Sequence, residues 1–209
     1  MIDYLISKPD KIINPLLEHI ELVLITLLFS LILAALLTLV AVLSSAAGYV
    51  LNQLFAILYS IPSLALFALL IPVTGLGRNT AVLVLVIYNQ YLLLRNFTTG
   101  LEEVDPAIRE AAVGIGMTKI QVLMRVQIPL AKKTLFTGIR LAIVSTIGIG
   151  TIAASINAGG LGTLLFDGLR TMNIVKILWG SILSAALAIA ANGLLKMVEN
   201  YSDRVVRDR

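Results

Sequence analysis

Covalent and acid–base catalysis require a thiolate, an imidazole or paired carboxylates, and this chain offers almost none of them. It has no cysteine, which excludes thiolate chemistry and a disulfide framework, and only one histidine, His19. With no second histidine or cysteine to work with, His19 reads as an interfacial side chain rather than a metal ligand. No His-Glu-x-x-His signature occurs, and no two carboxylates fall together inside an apolar segment, so intramembrane hydrolysis is not expected. Residues 158–162, AGGLG, have the glycines of a phosphate loop without the Lys-Ser/Thr that must follow, so no nucleotide site is expected there. No catalytic residue, no metal site and no resident cofactor are assigned to the chain.

Two polar groups remain that could do something other than catalysis. The first is the run from Asp105 to Leu130, DPAIREAAVGIGMTKIQVLMRVQIPL, the longest polar interruption between apolar segments. Asp105 can cap a helix whose first position is Pro106, where a missing N–H costs nothing. Gly114 and Gly116 break that helix. Thr118 caps a second one, with Gln121 three residues on completing a capping box. There Ile120, Leu123, Met124 and Gln127 share a mostly apolar face, Arg125 points elsewhere, and Pro129 ends the helix. Such a soluble helix pair in an apolar chain is built to touch something soluble. The second group is Tyr88-Asn89-Gln90-Tyr91, unusually polar for its surroundings. It serves either a pore-facing site or hydrogen bonding between helices.

The elements that must position these groups are membrane helices. The chain is 58% hydrophobic and 13% charged, with mean hydropathy +0.96, against about 25% charged residues in a soluble domain. It reads as an all-α integral membrane protein, one transmembrane domain over residues 1–209. Residues 1–21 carry mixed charges, Pro9 and Pro15. A signal peptide would begin with a basic region before a short apolar stretch, so they read instead as an amphipathic lead-in at the membrane surface. From Leu22 to Gly77 no residue is charged. About 20 residues cross a bilayer, so this is two spans, about 22–43 and 50–70, with a turn at 44–48. Pro62 kinks the second span or ends its regular part, and the loop signal follows at Pro72.

The third span, 78–95, has 16 uncharged residues between Arg78 and Arg95, about 24 Å of helix, so it borrows from its flanks or sits in protein rather than lipid. The fourth, 135–156, carries Gly138, Ala142, Thr146, Gly150 and Ala154 at four-residue spacing. That stripe suits close helix approach, either inside the chain or at a subunit interface or path. A glycine-rich loop with a short helix near 163–169 leads to the fifth span, 177–195. Five spans put the termini on opposite sides. Arg95, Arg109, Lys119, Arg125, Lys132, Lys133, Arg140, Lys196, Arg204, Arg207 and Arg209 fall on one side, and Lys8, Lys11, Arg78, Arg170 and Lys176 on the other. The richer side is cytoplasmic, so the helix pair and the C-terminus face the cytoplasm and the N-terminus lies outside. The span interiors hold no Asp, Glu, Lys or His, so coupling to an ion is not indicated, and energy for uphill transport would arrive through the helix pair.

Glu110-Ala111-Ala112, Gly116 after three residues, and Val126-Gln127-Ile128-Pro129 after nine more resemble the EAA loop of membrane subunits of bacterial ABC importers. Val126 and Ile128 depart conservatively from that family's Ile-x-Leu-Pro ending. The segments 61–96, 104–112 and 156–169 look like permeases that import osmoprotectants: glycine betaine, carnitine, choline and related quaternary amines. The resemblance covers about residues 15–198. It implies a type I ABC importer permease fold in the bacterial cytoplasmic membrane. It further implies a second permease subunit, identical or homologous, and cytoplasmic ATPase subunits that bind ATP and magnesium. Solute would come from an extracytoplasmic solute-binding protein, expected as a separate chain because this one is too short to include it.

In that picture residues 104–130 form the coupling loop, with Glu110, Ala111, Ala112, Gly116, Met117, Thr118 and Pro129 as its contact and shape-setting residues. Pro62, Tyr88, Asn89, Tyr91, Gly148, Gly150 and Thr151 are the candidates for the translocation path. Membrane lipids are the remaining partner, and the +4 net charge needs no nucleic acid to explain it. Two alternatives stay open: an importer of another solute such as methionine or another amine, and a passive channel or membrane scaffold.

Overall fold

A computed structural model describes residues 2–207. The helices in chain order are α1 (Ile2–Ser7), α2 (Asp10–Leu43), α3 (Ser45–Ser60), α4 (Ser63–Thr74), α5 (Arg78–Glu102), α6 (Pro106–Gly114), α7 (Lys119–Val122), α8 (Ile128–Ile152), α9 (Gly162–Arg170) and α10 (Ile174–Arg207). A π-helical turn, Leu123–Gln127, joins α7 to α8, and a 3-10 turn, Ala153–Ile156, follows α8. Four helical runs are long and apolar enough to cross a membrane, and the bent α3–α4 pair makes a fifth crossing if it counts as one span. The side chains of Asp3, Arg204 and Arg207, and all of Arg209, lie outside the described residues.

Helix α5 is the hub, packing against α8, α2, α3 and α4. Val84, Leu85 and Leu93 on it are buried among Leu22, Leu27, Phe67, Ala142 and Ile147 of the surrounding helices. Its short apolar length follows from this position: it is solvated by protein, and its helix also runs on past Arg95 to Glu102. By contrast α10 lays one side on α8 and α9, half-burying Leu187, Ala188, Ala191 and Leu195, and leaves Ile182, Ile189 and Leu194 exposed, the mark of a helix whose other side faces lipid or another subunit.

Several boundaries differ from the expectation. Residues 10–21 are not a separate surface lead-in but the first turns of α2, where buried Ile12 and His19 hold a helix that Pro15 weakens by only one backbone bond. The first turn is a single extended residue, Ser44, whose hydroxyl accepts the Ala47 N–H. Pro62 takes the second of its two expected roles and ends the regular part of the span: α3 and α4 meet at 100°, because a residue before proline, here Ile61 at φ −69° and ψ 130°, is pushed out of the helical region. Pro72 stays inside α4, and the loop begins only at Gly75. Pro129 does not end a helix. The Ile128 N–H reaches back five residues to the Leu123 carbonyl, and the wider turn admits the proline near the start of α8.

The small-residue stripe of α8 faces inward. A methyl group at Gly138 would lie 2.8 Å from Asn96 Cβ, and one at Gly150 3.2 Å from the His19 ring, so α5 and α2 rest directly on its backbone.

Candidate functional site

The polar run builds a helical hairpin with its own closures. Asp105 Oδ1 accepts the Ala107 N–H at 2.8 Å, and Pro106 opens α6. At the other end Gly116 N–H reaches the Val113 carbonyl and Met117 N–H the Ala112 carbonyl, a paired C-terminal closure that needs a left-handed residue. Gly116 supplies it at φ +88°. Thr118 and Gln121 then form both halves of the capping box, at 2.8 and 3.3 Å. The shared face expected for the second helix splits. Leu123 and Gln127 are buried, Gln127 donating to the Leu101 carbonyl at 3.0 Å, while Ile120 and Met124 are exposed, because the π turn advances the register between them.

Ala112 is buried and Met117 half-buried, whereas Glu110, Ala111, Gly116, Thr118 and Pro129 are exposed. Around them Val113, Ile115 and Ile120 stand 58%, 82% and 57% exposed, so a charged segment presents an apolar tip. Glu110 sits beside Arg109, Val113 and Gly114 in a shallow depression of α6.

The path candidates fall into three contact groups. Tyr88 donates through its hydroxyl to the Ile61 carbonyl beside the exposed Pro62, and Tyr59 joins Tyr88 edge-on and Tyr91 in a stack at 4.6 Å. Asn89 is buried, its amide donating to Ser30 Oγ at 3.1 Å and Thr146 Oγ1 at 2.9 Å, and thus ties α5 to α2 and α8. Gly150 is buried against His19, while Thr151 donates to the carbonyl of the exposed Gly148 one turn back. Between α3, α5 and α6 opens a polar cavity of about 550 Å³ whose lining includes Tyr49, Asn52, Gln53, Tyr91, Arg95 and Arg109. Arg95 donates to the Tyr91 hydroxyl at 2.6 Å and lies 5.7 Å from its ring centre, so that aromatic face already carries a cation.

Four features were not foreseen. His19 is no interfacial side chain. It is fully buried, its Nε2 donating to the Ile147 carbonyl at 3.1 Å and its Nδ1 accepting from Leu161 N–H at 3.4 Å. Beside it Glu18 Oε2 accepts the Gly160 N–H at 2.9 Å, so the glycine loop that looks like an anion cradle is filled by the chain's own carboxylate. Arg140, within the expected fourth span, pairs with Glu199 of α10 at 3.1 Å. Arg78 Nη1 pairs with Glu21 at 3.0 Å. None of these partners is near its mate in sequence; only the isolated charges at apolar boundaries hinted at them.

A family model described as the binding-protein-dependent transport system inner membrane component matches residues 27–208. The chain is 41% identical over 164 residues to a carnitine transport permease protein of Listeria monocytogenes, covering 78% of this chain and 73% of that one. It is 41% identical over 148 residues to an osmoprotectant import permease protein of Salmonella typhimurium, 68% and 69% of the two chains. A choline transport system permease protein of Bacillus subtilis matches at 31% over 200 residues, 95% of this chain and 92% of that one. Among solved structures, an inward-facing conformation of the MetNI methionine ABC transporter superposes with TM-score 0.81 over 94% of this chain and 95% of that chain at 19% identity, a likeness of fold.

Proposed function

Because the chain belongs to the family of inner-membrane components of binding-protein-dependent transport systems, we propose that it is the permease subunit of an ATP-driven importer of compatible solutes such as glycine betaine, carnitine or choline. The observation that carries the coupling half of this reading is the pre-folded hairpin with its exposed apolar tip. A rigid, capped element needs little ordering when a partner grips it. Its natural partner is a cytoplasmic ATPase, which binds the ATP and magnesium. Glu110 meets a basic group of that ATPase, Ala111 and Ala112 allow close approach, and Gly116, Met117, Thr118 and Pro129 set the shape of the hairpin and its exit. Closure of the ATPase then rocks the permease pair between inward- and outward-open states.

A second permease subunit covers α10 and the α3–α4 corner, and a separate binding protein delivers solute from outside. Among the described residues no aromatic cage surrounds a free cation site, which suits selection of the quaternary ammonium by that binding protein. The path runs along Pro62, Tyr91, Gly148 and Thr151, backed by the buried Tyr88, Asn89 and Gly150. The hairpin and C-terminus are cytoplasmic and the N-terminus is outside.

The test is uptake by proteoliposomes holding the permease, its ATPase and its matched binding protein. Carnitine, glycine betaine or choline should accumulate only with ATP, and Glu110→Lys should abolish ATPase co-purification and uptake together. Uptake of methionine in place of the quaternary amines, or flux without ATP, overturns the reading. The natural absence of cysteine makes topology directly readable: a cysteine at Ile115 should label only from the cytoplasmic side, and one at Ile6 only from outside.

A further inference from the structure

The polar cavity between α3, α5 and α6 carries both signs of charge on its wall, two guanidiniums, Arg95 and Arg109, against one carboxylate, Glu102. Ser45 and Arg109 in its lining place it at the hairpin end of the helices, and its volume of about 550 Å³ suits a small molecule. The two arginines are placed differently. Arg95 is exposed, spends one donor on the Tyr91 hydroxyl at 2.6 Å and lies over that ring, so the aromatic face is not open to another cation. Arg109 is half-buried and has no carboxylate paired with it among the described residues. Of its guanidinium only Nε is closed off, and the terminal nitrogens stay accessible. A guanidinium desolvated on one side gains most from an anion at its open end, and a planar pair of N–H donors matches a carboxylate.

We infer that this cavity binds a zwitterionic solute, one that carries a carboxylate as well as a quaternary ammonium. The carboxylate accepts from the open terminal nitrogens of Arg109, with Arg95 adding positive charge, and the ammonium end lies toward Glu102. A solute with the ammonium alone, such as choline, brings nothing for the guanidiniums. A bare anion leaves Glu102 without a counter-charge. The inference rests on the permease function proposed for the chain and narrows its solutes to the glycine betaine and carnitine type. Arg109 also borders the depression that holds Glu110, so a solute bound here touches the same helix, α6, that the ATPase grips.

Saturation-transfer NMR on the permease–ATPase complex in detergent, without binding protein or nucleotide, reads such weak binding directly. Carnitine and glycine betaine should bind, and choline should bind about tenfold more weakly, the worth of a charge-assisted hydrogen bond. Arg109→Gln should bring carnitine down to the level of choline, and Arg109→Lys, which keeps the charge without the fork, should restore part of the difference. Ala56→Trp, which fills the cavity, should weaken both solutes. The melting temperature of ligand-free Arg109→Gln should match that of the parent, because Arg109 has no partner in the chain to lose. Acetate should displace carnitine, and tetramethylammonium should not. The inference falls if choline binds as tightly as carnitine, if Arg109→Gln or Ala56→Trp leaves carnitine binding unchanged, or if tetramethylammonium displaces carnitine and acetate does not. Any of these results alongside ATP-dependent uptake of quaternary amines removes the site and leaves the transport function standing. Carnitine binding that depends on Arg109, without uptake in proteoliposomes, removes the transport function and keeps the site.

Discussion

The packed seam between α2, α5 and α8 and the hairpin at residues 105–127 treat polar groups in opposite ways. In the seam Asn89 is satisfied by partners 57 and 59 residues away in sequence, and Gln90 reaches the Ser30 carbonyl across 60 residues. In the hairpin the capping bonds of Asp105, Thr118 and Gln121 span two or three residues, while Ile115 and Ile120 face outward. The seam draws the partners of Asn89 and of the Gln90 amide from within one chain, although Thr26 Oγ1, Thr38 Oγ1 and Gln90 Oε1 stay buried without one among the described residues. The hairpin is finished as a local shape and unfinished as a surface. Interiors that close on themselves carry stability, and pre-shaped elements with bare apolar tips carry association.

That contrast can be broken at four points, from the largest effect on stability to the smallest. Gly162→Ala should be worst, since its methyl would lie 1.8 Å from the Thr151 carbonyl oxygen, a backbone atom that cannot move aside. The expected loss exceeds the ~1–3 kcal/mol of ordinary overpacking, read as a fall in melting temperature in detergent. Asn89→Leu should lower stability by about 1–2 kcal/mol, because Ser30 and Thr146 lose a shared partner. An unchanged melting temperature with altered substrate preference would instead make Asn89 a path residue.

Gly116→Val should reverse the pattern. A side chain meets nothing within 4 Å there, so the strain of φ +88° is local and the melting temperature moves little. ATPase co-purification and uptake should fall at least tenfold, and normal values for both would remove the hairpin from coupling. Smallest is the link between α9 and α10. Lys176, 2.6 Å from Asp167 Oδ2, holds that carboxyl below its ordinary pKa. A depressed folded pKa adds stability above the unfolded value, lost as pH falls through the folded one, so the contribution fades below about pH 4. In a half-exposed pair it is slight, and Asp167→Asn should change the melting temperature by less than a degree or two at neutral pH.

The hairpin was legible because its determinants are local. A capping aspartate, a first-turn proline, a left-handed glycine and a capping box each act within four residues, so composition and spacing suffice. The membrane class was legible because apolar content and run length are properties of the chain alone. What reading residues in order could not supply was the partner of each isolated polar group. His19 looked interfacial until α8 and the glycine loop closed over it, and Pro129 looked like a terminus until a π turn absorbed it. The Arg140–Glu199 and Arg78–Glu21 pairs and the 100° corner at Pro62 likewise depend on how helices pack. Helix ends and bilayer crossings are decided over a few residues or by bulk hydropathy, and the sequence by itself determined them. Which buried donor meets which acceptor is decided by groups brought together from distant points of the chain, and only the tertiary structure decides that.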